Sequence, residues 1–78
     1  MAKIENENQL RENLDAFILA AQTDKCYSRD SVVTWVINAV YQNCSARVRS
    51  AIGWGWLDLD SIVDKKIKKM EREGYIWF

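Results

Sequence analysis

The residues with the clearest chemistry in this chain are cations. Ser61, Lys65, Lys68, Lys69 and Arg72 fall within one stretch, and at about 100° per residue they share one side of a helix. Val63, Ile67 and Met70 fall on the other side, with Asp64, Glu71 and Glu73 on the flanks. A row of cations attracts phosphate backbones, because each neutralised phosphate releases condensed counterions. Arg47 and Arg49, in a short helical stretch upstream, add two candidates for the same contact. The plainer reading of such a row is a solvated outer face.

Other chemistry is poorly served. The chain has no His, which removes the commonest general base and metal ligand. No paired carboxylates lie on an apolar face, and no nucleophile has a base partner. Gly53 and Gly55 lack the Lys and Ser/Thr of a phosphate-cradling loop. We therefore expect neither an enzyme nor a cofactor. Cys26 and Cys44 lie eighteen residues apart without a CxxC pair. They read as two small buried thiols, with a disulfide as the alternative and a zinc site a distant third.

These residues must be positioned by a single small domain spanning 1–78. Hydrophobic residues are 49% and charged residues 28% of the chain, as in ordinary soluble domains. No apolar run approaches the ~20 residues of a membrane span, and no segment reads as a signal peptide. A cytoplasmic protein without a membrane partner is expected. Eleven basic and eleven acidic side chains cancel, which argues against coating of nucleic acid by bulk electrostatics and leaves a local patch open. Residues 1–31 hold four basic and six acidic side chains, and residues 32–78 hold seven and five.

Periodicity predicts four helices. The first, over 6–22, buries Leu10, Leu14, Phe17, Ile18 and Ala21. The second, over about 31–42 and capped by Ser28 or Ser31, is apolar nearly all round. That composition places it centrally, with Trp35 in the core, although its β-branched residues also suit a buried strand. A short helix over 46–52 follows and ends at Gly53. After a turn holding Trp54 and Trp56, Asp58 or Asp60 caps a last helix that stops at Gly74. Tyr75-Ile76-Trp77-Phe78 has strand composition. The expected fold is mostly α: four helices with a short C-terminal β-strand.

The run Asp60-Ser61-Ile62-Val63-Asp64-Lys65-Lys66-Ile67-Lys68-Lys69-Met70-Glu71-Arg72-Glu73-Gly74-Tyr75-Ile76 resembles the recognition helix and first wing residues of winged helix-turn-helix DNA-binding domains of the MarR and Lrp kind. The resemblance covers roughly Ser31 to Ile76. It implies a winged-helix-like core over 31–76 with an extra N-terminal helix over 1–22, and a transcriptional regulator reading double-stranded DNA with helix 60–73. The connection Gly53 to Asp60 is longer than the family's turn, and no second wing strand follows Phe78.

The aromatics offer a different role. Trp54 reads as core filler, whereas Trp56, Tyr75, Trp77 and Phe78 are candidates for a partner surface, since Trp and Tyr are enriched at interface hot spots. The strand 75–78 has rings on both faces. It could pair with a short piece around Lys25-Cys26-Tyr27 or with its own copy, and the second option predicts a homodimer. The alternative function is a non-enzymatic protein-interaction module or inhibitor using the same scaffold and its Trp-rich turn.

Overall fold

Each helix begins where a short polar side chain satisfies a free backbone N–H, one of four left unpaired at every helix start. The computed structural model describes residues 4–24, 28–76 and 78. Helix α1 (Glu7–Thr23) is capped by Asn6, whose side chain accepts from the Gln9 N–H at 2.9 Å, while the Gln9 side chain accepts from the Glu5 N–H at 2.8 Å. Helix α2 (Arg29–Asn43) is capped by Ser28, α3 (Ala46–Gly53) by Ser45 and α4 (Leu59–Arg72) by Asp58. Among the described residues the architecture is these four helices with almost no extended pairing.

The core is a triangle of α1, α2 and α4, each in contact with the other two. Leu10, Leu14, Phe17, Ile18 and Ala21 enter from α1, Val32, Val36 and Val40 from α2, and Leu59, Val63, Ile67 and Met70 from α4. Short α3 adds Val48, and the connecting segments add Ile4, Cys44 and Ile76. The radius of gyration is 12.0 Å, close to the ~11.5 Å of a folded chain this long. Ile4 forms a single parallel bridge with Cys44: its N–H donates to Asn43 O at 2.7 Å, and its carbonyl accepts from the Ser45 N–H at 2.8 Å. No helix among the described residues is long and apolar enough to cross a membrane.

The α1 stripe forms as its spacing predicts, but α2 differs. It starts two residues earlier than expected, at Arg29, and it is not wrapped on all sides. Only Val32, Val36 and Val40 are fully buried, while Val33, Trp35, Ile37 and Ala39 are half-buried. With two long neighbours, α2 buries one stripe like any surface helix. Trp35 sits at the edge of the core, where its Nε1–H donates to Asp24 Oδ2 at 3.0 Å.

The end of α3 differs from expectation, whereas α4 stops at Gly74 as expected. Gly53 lies inside the last turn of α3, and Gly55, at φ +83°, is the left-handed residue that ends it. The Gly55 N–H donates to Ile52 O and the Trp56 N–H to Ala51 O, the paired bonds of a Schellman cap. The chain leaves this cap with Trp54 75% exposed, so Trp54 is not core filler. An equivalent cap closes α4, with Gly74 at φ +83° and the Tyr75 N–H donating to Met70 O at 2.9 Å.

The strand expected over 75–78 is absent among the described residues. The α4 cap redirects the chain so that Ile76 inserts into the core at 1% exposure. No neighbouring strand is there to accept Tyr75, Ile76 or Phe78. Trp77, Cys26 and the Lys25-Cys26-Tyr27 segment lie outside the described residues. Cys44 is a free, buried thiol, as expected.

Candidate nucleic-acid interface

Helix α4 carries the candidate site, and its register follows from burial. Leu59, Val63, Ile67 and Met70 point inward, which leaves Lys65, Lys68, Lys69 and Arg72 exposed together on the outer face. Ser61 is half-buried at the start of that face, its N–H bonded to the Asp58 cap at 3.2 Å. Acidic Asp60 in the first turn and basic Lys69 and Arg72 in the last turn suit the helix dipole at both ends.

The flanking acids are the decisive electrostatic detail. Arg29, from the first turn of α2, donates to Glu71 and lies 3.8 Å from Asp64. Its guanidinium also sits 5.7 Å from the centroid of the Phe78 ring, on the exposed side of the C-terminal segment. Arg29 thus engages Glu71 directly, while Asp64 lies between Arg29 and Lys68. Lys68 shares Asp64 at 3.0 Å, whereas Lys65, Lys69 and Arg72 form no ion pair among the described residues. Three free cations and one half-compensated one therefore project into solvent from one helix.

The two arginines of α3 separate in role. Arg47 is exposed beside Trp56, in a groove that Glu5 and Glu7 also line. Arg49 folds back on α2: its Nε donates to Tyr41 O at 2.9 Å and its Nη2 to Gln42 O at 3.0 Å, with the guanidinium 5.2 Å from the Tyr41 ring centroid. It caps carbonyls in the last turn of α2. The structure therefore groups the α4 cations but does not turn the Arg49 guanidinium toward them.

Two cations not singled out from sequence join the site instead. Arg11 of α1 and Lys66 of α4 line a groove of about 300 Å³ together with Lys65 and Lys69, over Leu14 and Ile62. Lys66 is tied to Asp15 of α1 at 2.8 Å, and Arg11 to Glu7 at 3.2 Å. Their place beside Lys65 depends on α1 packing along α4, and helical spacing within either segment carries no trace of it.

Away from α4, Trp54 and Trp56 stack on each other with ring centroids 6.4 Å apart and planes 22° from parallel. They are 75% and 81% exposed. Tyr75 and Phe78 are also exposed. No cluster of His, Cys, Asp and Glu suited to a metal ion exists among the described residues. Burial pushes the Cys44 thiol above its ordinary pKa, and the nearby Arg49 charge partly offsets that rise. Searches of protein-family models, curated proteins and solved structures find no match to this chain.

Proposed function

We propose that the chain binds double-stranded DNA through the outer face of α4, as a small winged-helix-like regulator of transcription. One observation carries this reading: Lys65, Lys69 and Arg72 are exposed on one face and unpaired among the described residues, while Arg29 engages Glu71 and Lys68 takes Asp64. A zero net charge thereby coexists with a locally positive helix. The order α2, short α3, turn, α4 supports the helix-turn-helix reading, with Ser61, Arg47 and Arg49 as further candidate contacts. One module of this size offers limited contact area, which favours a homodimer; Trp56, Tyr75, Trp77 and Phe78 are its candidate contacts.

A second reading rests on the turn after α3. Two tryptophans more than 70% exposed on a turn fixed by a Schellman cap are unusual for a free surface, and rigid aromatic pairs suit protein interfaces. Here the scaffold is an interaction module and the α4 cations are solvated surface.

Retardation of a random duplex across a salt series separates the two. Four phosphate contacts, one for each of Lys65, Lys68, Lys69 and Arg72, give a log–log slope of about −3.6, so affinity falls about 150-fold between 50 and 200 mM salt. Changing any of the four to Ala weakens binding and leaves stability within about 0.5 kcal/mol of the parent. No retardation at ~50 mM salt refutes the DNA reading and leaves the protein-interaction one.

A further inference from the structure

The groove between α1 and α4 has a composition that ordinary surface packing does not require. Four cationic side chains, Arg11, Lys65, Lys66 and Lys69, converge over an apolar floor of Leu14 and Ile62. Like charges gathered in one concavity repel one another, and a low-dielectric floor strengthens that field. Among the described residues only Glu7 and Asp15 pair with these cations, each holding one from outside the groove. The balance is an excess of two positive charges, more than enough to neutralise the single negative charge of a backbone phosphate.

The donors also suit that ligand. Arg11 has five N–H donors and Lys66 three, so one ion pair leaves each with others free. Lys65 and Lys69 have no ion-pair partner among the described residues. The ion pairs hold the Arg11 and Lys66 side chains in place before a ligand arrives, which lowers the entropy cost of binding. At about 300 Å³, the groove has room for roughly ten waters at their liquid volume, so a phosphate enters with part of its hydration shell.

We infer that this groove is a phosphate-binding site. On the DNA reading above, on which this assignment of its ligand rests, it takes a backbone phosphate beside the α4 face. Helix α1 then belongs to the interface, and Arg11 is a DNA-contacting residue.

The test uses Arg11→Gln, an exposed substitution that leaves the Leu14 floor intact, with a urea midpoint measured alongside to show that the fold is unchanged. Two probes are used: a random DNA duplex in a salt series, and inorganic pyrophosphate followed by backbone amide shifts. The expected result is an affinity for duplex about eightfold lower at 0.1 M salt, with the slope reduced by about 0.9, the signature of one lost phosphate contact. Duplex binding with unchanged affinity and slope overturns the inference and leaves the α4 reading standing. If the parent protein ignores duplex but pyrophosphate shifts the amides of Lys65 and Lys69, and Arg11→Gln abolishes those shifts, the groove stands as a site for a free phosphate compound and the DNA reading falls. Silence with both probes overturns both.

Discussion

Replacing Arg29 by Met keeps the apolar stem of the side chain and removes the guanidinium that joins α2 to α4. The bond to Glu71 is charge-assisted, a class worth about 1.5–3 kcal/mol when shielded. Both partners are a little over one-third exposed, at 35% and 37%, so solvent screening brings this to about 1 kcal/mol. The Asp64 pair, at 3.8 Å, is too long for a hydrogen bond and adds at most about 0.5 kcal/mol. Loss of the cation over the Phe78 ring adds about 0.5 kcal/mol. The expected total is about 2 kcal/mol, or a fall in Tm of roughly 8–16 °C for a domain of this size. Urea unfolding followed by circular dichroism, at 20 mM and at 1 M NaCl, measures it. Because the Debye length shrinks to about 3 Å at 1 M, the difference between parent and variant should drop by half or more. A double-mutant cycle with Glu71→Gln should return about 1 kcal/mol of coupling. A loss of stability indifferent to salt, with no coupling to Glu71, would show that Arg29 acts through packing of its stem and would refute the electrostatic account.

The two glycines around Trp54 should respond in opposite directions. Gly53→Ala, in a helical position with nothing within 4 Å of the added carbon, should stabilise by about 0.5 kcal/mol, while Gly55→Ala, at φ +83°, should cost about 1–2 kcal/mol. Thermal melts decide it, and a loss at Gly53 equal to that at Gly55 would place the end of α3 at the earlier glycine. In a Cys26→Ser background, Cys44 should react with a disulfide reagent far more slowly than a free peptide thiol, since it is 1% exposed. With its pKa raised by burial, the neutral thiol's stabilising effect is complete below about pH 8.5 and is lost as pH rises from there toward the folded-state value. Stability of the Cys44→Ala variant should therefore decline less steeply above that pH, and an identical decline would remove the thiol as its cause.

The outer face of α4 was legible because its cations and apolar residues separate by angle within one element, and no other helix needs to be known. The α1 stripe was legible for the same reason. What failed was whatever depended on the number and placement of neighbours. Eight apolar residues on α2 suggest a helix enclosed on all sides, yet among the described residues its extensive packing is with α1 and α4, so Val33, Trp35 and Ile37 end half-buried. Arg29 and Glu71 are 42 residues apart, and Lys66 meets Asp15 only once α1 and α4 have docked. Arg49 shows a subtler limit. Its spacing suits a solvated position, but the terminal carbonyls of α2 eight and seven residues earlier, on Tyr41 and Gln42, compete successfully for its donors. Trp54 was misjudged because ring size argues for burial, whereas the left-handed Gly55 beside it aims the chain, and the ring with it, outward.

The parallel bridge between Ile4 and Cys44 has a consequence for the order in which the chain acquires its structure during synthesis. Ile4 is made forty residues before its partner. At about 5–20 residues per second, its backbone groups stay solvated for roughly 2–8 seconds before Asn43 and Ser45 exist to bind them. The stripe of α1 waits longer, because Val63, Ile67 and Met70, which form the other wall of its core, belong to α4 and are made after α2 and α3. Helix α1 is therefore fixed only after α4 has been made, and folding must begin elsewhere or wait for it.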